Sequence, residues 1–285
     1  MIQSMTGYGK SVLQLPTKKI TIELKSLNSK SLDLNARMPS MYRAKELDIR
    51  KSIAKQLVRG KVDFSLYVEI TGEDTSSKIN KTVVNQYIKQ LKEVVDGNPT
   101  ELLKMAIRLP DAVTTERDEI DEEEWSQIQS EIDTAIVRIN LYREDEGKNL
   151  KQDFETRIET LRDLLSQVIK MDPERIDGVR ARLEKGVADI KEKVDENRFE
   201  QELVYYIEKF DITEEKVRLD NHLDYFILSL NSDDSNGKKL GFISQEIGRE
   251  INTIGSKSNY APMQKLVVQM KDELEKIKEQ LLNVL

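Results

Sequence analysis

The chain has no cysteine, which excludes disulfides, thiolate metal sites and cysteine nucleophiles. Its only histidine, His222, excludes a multi-histidine zinc site within one chain. A metal ion would be held mostly by carboxylates, which favours magnesium, manganese or calcium over zinc. No apolar run nears the roughly 20 residues that a bilayer-crossing helix needs. The opening MIQSMTGYGK lacks the apolar middle of a secretory signal. These absences lead to the expectation of a soluble, cytoplasmic protein with no membrane partner. No internal repeat at a fixed period and no low-complexity linker interrupts the 285 residues.

Charge is what the chain has in abundance. Charged residues make up 34% and hydrophobic residues only 38%, a balance that suits long helices with wide solvated faces, or an assembly that buries surface between subunits. The formal net charge of -7 argues mildly against nonspecific binding to a polyanion. Charge distribution matters more than the total, however. An acidic run over 116–124 concentrates negative charge away from the basic positions considered below.

The first 70 residues alternate with period two. Ile20, Ile22 and Leu24 alternate with polar neighbours, as do Leu32, Leu34 and Ala36, and then Val62, Phe64, Leu66, Val68 and Ile70. One apolar face per run predicts half-buried antiparallel strands. Asn28-Ser29-Lys30 reads as a hairpin turn between two of them, and a helix is expected over 42–58. From Asn80 onward the pattern is helical. Ile128, Ile132, Ala135, Ile139 and Tyr142 recur at helical spacing, and the stripe resumes after Gly147 from Leu150 to Val168. This is one very long helix or two joined at the glycine, ended by Asp172-Pro173. Further helices are expected over 173–194, 198–210 and 213–230. Met263, Val267, Met270, Leu274, Ile277, Leu281 and Val284 form an a/d seam that packs within the chain or against another subunit. The expected architecture is α+β: a small N-terminal antiparallel sheet with a helix, followed by a large long-helix C-terminal region. Its expected parts are a sheet domain over 1–75, a long-helix middle region over 76–197 and a helical domain over 198–285.

Three polar words in the last of these parts carry the candidate chemistry. Glu215, Arg218 and His222 share one helical face. They form either an ion-pair ladder or a titrating group beside an ionised carboxylate. Glu246 and Glu250, spaced i, i+4 beside Arg249, are either a solvated face or a holder of a divalent ion or a water. The stretch Thr253-Ile254-Gly255-Ser256-Lys257-Ser258-Asn259 reads as a helix C-cap with Gly255 left-handed, as a phosphate site, or as both. It lacks the spacing of a P-loop. Lys238, Lys239, Arg249, Lys257 and Arg218 would line a carboxylate pair with cations, the combination phosphodiester cleavage needs. In RNA the attacking hydroxyl can be the substrate's own 2′-OH.

Several further words resemble the YicC/YloC endoribonuclease family. They are Ser4-Met5-Thr6-Gly7-Tyr8-Gly9, Ser26 to Asn28, Met38-Pro39, Arg59-Gly60-Lys61-Val62 and REDEGKNL from Arg143 to Leu150. The C-terminal words ITEEKVRLDNHL, KKLGFISQEIGREINTIGSKS and EQLLN complete the set in family order. Departures are Ser29 where the family usually has histidine, Gly241 where members often carry aspartate, and Gly248 where they often carry asparagine. The resemblance implies a metal-dependent endoribonuclease acting on structured or small RNA, with manganese or magnesium. It also implies a ring-like homo-oligomer, a hexamer, with RNA entering between subunits. On this reading His222, Glu215, Glu246 and Glu250 are the acid/base candidates, with Glu246, Glu250 and His222 as metal ligands. Arg218, Lys239, Arg249 and Lys257 are the RNA contacts, with Arg59 and Lys61 on the sheet as secondary ones. The alternative is a noncatalytic RNA-binding adaptor that presents RNA to another ribonuclease.

Overall fold

The computed structural model of the chain describes residues 2–71, 78–114, 121–188, 196–232 and 237–285. Residues 116–120 of the acidic run, the end of the helix expected over 173–194, and part of the polar loop before Gly237 lie outside the described residues. Tertiary contacts divide the chain into two units, one of residues 8–26 and 30–140, the other of 1–7, 27–29 and 141–285.

In the first unit the period-two runs form a four-stranded sheet. Its strands are β1 (Gly7–Gln14), β2 (Lys18–Leu27), β3 (Leu32–Arg37) and β4 (Gly60–Ile70), in the order β1-β2-β4-β3. Ile20, Ile22, Leu24, Val62, Phe64 and Leu66 point to one buried face. There they meet Tyr42, Ile49 and Ile53 of the segment between β3 and β4. That segment is a 3₁₀ turn (Ser40–Lys45) followed by α1 (Glu46–Gln56), where one continuous helix was expected. The sheet is not antiparallel throughout. β3 runs parallel to β4, with Leu32 opposite Gly60 and Arg37 opposite Ser65. The Asn28-Ser29-Lys30 stretch is not a hairpin either, because β4 lies between β2 and β3. Period two is common to both kinds of ladder, so it did not decide the direction. Parallel neighbours need a crossover, which α1 supplies.

The same unit holds α2 (Lys81–Val94) and α3 (Pro99–Ala106), which enclose a small cluster of Val84, Ala106 and Ala112. Beside them β5 (Lys78–Ile79) pairs antiparallel with β6 (Val113–Thr114), a short ladder inside a stretch expected to be wholly helical. The next helix, α4 (Glu122–Ala188), is 67 residues long. It continues through Gly147, and also through Pro173, where a break was expected. A proline inside a helix forfeits a hydrogen bond and crowds the preceding turn. Here the flanking Asp172 and Arg175 anchor that turn through side-chain bonds given below.

The second unit packs the later part of α4 against α6 (Thr213–Leu230), α7 (Gly237–Lys257) and α8 (Ala261–Leu281). Phe154 of α4 meets Phe226 of α6 edge to face at 5.9 Å. Every residue of the a/d seam from Met263 to Val284 is buried in this core, so the seam packs within the chain. α5 (Glu196–Phe210) precedes these helices, and its buried Leu203 lies outside that cluster. The chain ends meet in this unit: Ser4 bridges Val284, and the Leu285 N–H donates to the Gln3 carbonyl at 2.9 Å. Gly147 makes room for that N-terminal segment, since a Cβ there would lie 2.3 Å from the Ile2 carbonyl oxygen.

Candidate functional site

α6 begins just after Asp211, whose side chain bonds the first residue of the helix. The Asp211 carboxylate accepts from the Thr213 N–H at 3.1 Å and from the Thr213 hydroxyl at 2.7 Å. The Thr213 hydroxyl, more than the Thr213 N–H and the nearby Lys216 and Lys257 charges, holds the Asp211 carboxyl below its usual range despite partial desolvation. Glu214 and Glu215 then occupy the first turn, the favourable end of the helix dipole for anions. Glu215 is buried at 6% exposure. Its Oε1 accepts from Lys257 Nζ at 2.7 Å, and Lys257 also donates to the Asp211 carbonyl at 3.0 Å. The other oxygen, Oε2, is buried with no hydrogen-bond partner.

The Glu215–Lys257 contact fixes the register of the hairpin. It joins the start of α6 to the end of α7, so the two helices run antiparallel. Seven residues span about 10.5 Å of helix and return to within about 20° of the same face. Seven residues onward from Glu215 is His222, and seven residues back from Lys257 is Glu250. The register therefore sets the only imidazole and Glu250 at one level on the same flank of the hairpin. Glu250 is 4% exposed and forms no hydrogen bond or ion pair with any described residue. His222 is half-buried. The Glu250 oxygens are not among the buried polar atoms left without a partner, so water reaches the carboxylate although the residue as a whole is nearly buried.

The remaining candidates surround this level unevenly. Arg218 does not sit beside Glu215 as expected: it pairs with Glu214 at 2.5 Å, and Lys257 serves Glu215. Glu246 pairs with Arg249 at 3.1 Å along its own helix and so is not presented with Glu250 as a free carboxylate pair. Lys239 lies over the Tyr225 ring, 5.4 Å from its centroid. Gly255 is not a left-handed cap, because α7 continues past it to Lys257. The Gln264 amide caps that end, donating to the Gly255 and Ser258 carbonyls at 2.6 Å each. Gly255 is small because a Cβ would lie 3.0 Å from Val267. Arg59 (half-buried) and Lys61 (exposed) belong to the sheet unit.

Among the described residues, no three histidine, aspartate or glutamate side chains are grouped so as to hold a metal ion. The expected ligand set of Glu246, Glu250 and His222 is thus not assembled. Glu215 Oε2 and Glu250 both lack partners, but about two helical turns separate them.

Three neighbours of the hairpin were not singled out as site residues in the sequence. Asp172 and Arg175, buried at 7% and 2%, bond to each other at 2.7 Å, and Asp172 also accepts from Lys216 Nζ at 2.6 Å. Arg175 then donates to the carbonyls of Phe210 and Lys257, tying α4 to both ends of the hairpin. The i, i+3 spacing of Asp172 and Arg175 was a usable clue. Asp211 was the other, as an acidic residue just before a predicted helix start. A polar groove of about 540 Å³ on the outer side of α7 is lined by Gln245, Arg249, Asn252, Thr253 and Ser256, with Lys278 of α8. A second groove of about 540 Å³ between α4 and α6 has its cations occupied, since Arg162 binds Asp220 and Asp224, and Lys216 binds Asp172.

Residues 2–152 match the family described as "Endoribonuclease YicC-like, N-terminal region". Residues 168–285 match "Endoribonuclease YicC-like, C-terminal". The chain belongs to the YicC-like family. It is 32% identical over 293 residues to "Probable endoribonuclease YicC" of Clostridioides difficile (strain 630), covering 100% of both chains. It is 27% identical over 287 residues to the protein of that name from Haemophilus influenzae (strain ATCC 51907 / DSM 11121 / KW20 / Rd), again covering 100% of both. Among the described residues no helix is long and apolar enough to cross a membrane.

Proposed function

We propose that the chain is an endoribonuclease whose proton-transfer groups are His222 and Glu250. The observation that carries this reading is the Glu215–Lys257 contact between α6 and α7, since His222 and the nearly buried Glu250 each lie seven residues farther along those helices. The Glu250 carboxylate would accept the proton of the RNA 2′-OH as that oxygen attacks phosphorus. An imidazole opposite can give a proton to the departing 5′-oxygen, so that the P–O5′ bond breaks and a 2′,3′-cyclic phosphate and a 5′-OH remain. Lys257 and the outer Arg218 and Arg249 supply positive charge for the phosphates on either side. Glu215, whose Oε1 holds Lys257, positions that cation. A bound manganese or magnesium ion would add charge neutralisation at the scissile phosphate.

Assembly into a ring-like homo-hexamer in the cytoplasm belongs to the same proposal. It is supported by apolar side chains left exposed on the hairpin, Leu228 at 69% and Phe242 at 58%, and is checked by light scattering of the purified chain. The test of function is to incubate the chain with an end-labelled RNA hairpin, with and without manganese or magnesium. Cleavage that is abolished by Glu250→Gln and leaves cyclic-phosphate ends supports the assignment. Cleavage that survives both Glu250→Gln and His222→Ala refutes it. Salt-sensitive binding without cleavage under any metal condition would instead favour an adaptor that hands RNA to another ribonuclease.

A further inference from the structure

Next to the hairpin, a cavity of about 280 Å³ opens between α4 and α5 at Lys257 and Asn259. Its lining includes Leu183, Arg182, Tyr206, Phe210, Lys257 and Asn259. Tyr206 and Phe210 lie four residues apart on one face of α5, with rings stacked 6.2 Å apart and inclined by 19°. Tyr205, 57% exposed, extends the aromatic surface edge-on to Tyr206 at 5.6 Å, and Lys209 stands over its ring at 6.0 Å. None of these rings is consumed by the hydrophobic core of the unit. The cavity therefore combines flat ring faces, an apolar wall and cations at the rim, with one amide that both donates and accepts hydrogen bonds. Its volume lies at the small end of ligand pockets, room for one planar ring system.

We propose that this cavity holds one unpaired nucleobase of the RNA, stacked against Tyr206 and Phe210, while Arg182 and Lys257 take the adjoining phosphates. The inference rests on the RNA reading above and deepens it. Lys257 lines the cavity and also bonds Glu215, so a base seated there sets its own phosphate beside the Glu215–Lys257 pair, and the strand would run on along the hairpin toward Glu250, about two helical turns away. Stacking on aromatic side chains is how proteins grip single strands without reading sequence. The site would therefore select for an unstacked nucleotide, as in a loop or bulge, over a continuous duplex.

The test uses the full chain carrying Glu250→Gln, so that binding is read without cleavage. Fluorescence anisotropy follows an unstructured RNA 12-mer and a set of the same 12-mer with one abasic position each. Tyr206→Leu, which keeps apolar bulk but removes the ring, weakens binding of the intact RNA about tenfold, in line with stacking contributions. Tyr206→Phe restores it. One abasic position weakens the parent by a similar factor, and at that position Tyr206→Leu adds nothing further. Arg182→Gln, at an exposed position, lowers the slope of log affinity against log salt by about one. Equal affinity for parent and Tyr206→Leu, or a Tyr206→Leu loss that is the same for every abasic RNA, overturns the base pocket and leaves the RNA reading standing. A parent chain that binds no RNA, and whose Glu250-intact form cuts none, overturns both.

Discussion

Two clusters of buried charge in the helical unit are built in opposite ways. Around Asp172 every group is answered: its two oxygens meet Arg175 and Lys216, and Arg175 goes on to two backbone carbonyls. In the hairpin, Glu215 keeps one oxygen without a partner and Glu250 finds none among the described residues. A satisfied network rigidifies, whereas a half-satisfied one is a standing cost. The first cluster holds α4 in place across Pro173 and fixes both ends of the hairpin. In the second, His222 and Glu250 lie seven residues along their helices from the Glu215–Lys257 contact that joins them.

Breaking each cluster should separate stability from activity. The largest effect is expected from Glu250→Gln: RNA cleavage falls about 10²- to 10⁴-fold, the usual loss when a general base is removed. Its urea midpoint should stay close to the parent's, because Glu250 has no hydrogen bond or ion pair with a described residue to lose. Asp172→Ala should do the reverse. It strands the Arg175 guanidinium, and urea unfolding should show a loss of about 3–5 kcal/mol. A smaller effect is expected from Gly147→Ala, whose Cβ would lie 2.3 Å from the Ile2 carbonyl oxygen. Displacing the N-terminal segment should cost about 1–3 kcal/mol, read as a lower melting temperature.

The smallest effect concerns Asp211 and is visible only against pH. Its folded-state pKa is depressed, so it stabilises the fold above the unfolded carboxyl pKa of about 3.9 and loses that contribution as pH falls below it. Asp211→Ala should therefore be less stable than the parent by about 1 kcal/mol at pH 7. The two unfolding curves should converge on acidification. A gap that widens as pH falls would show that Asp211 does not hold the start of α6 in the way described.

Much of the fold was legible in the sequence. The helix expected over 213–230 is α6, Thr213–Leu230, because its apolar period and acidic first turn agree. The seam from Met263 onward placed α8, and the alternation at 20–24 and 62–70 placed the central strands. The direction of β3 was hidden because side-chain alternation is the same in parallel and antiparallel pairs. Pro173 misled because the bonds that hold its turn come from residues distant in sequence, Lys216 and Phe210 among them. At the site, His222 and Glu250 were both singled out, but their relation was not, since it depends on the register that Glu215 and Lys257 set across two helices. Arg218 was assigned to Glu215 on spacing alone, and Glu214 competes for it on the same helix. The Tyr206–Phe210 face went unread, although its i, i+4 aromatic spacing was present in the sequence.

The most direct measurement is a double-mutant cycle on single-turnover cleavage of a labelled RNA hairpin, comparing the parent chain with His222→Ala, Glu250→Gln and both together. Groups that act in one proton-transfer step are grossly non-additive. The double variant should therefore be scarcely slower than the worse single variant. Losses that simply multiply, or a double variant that cleaves like the parent, would contradict the pairing of these two residues across the hairpin.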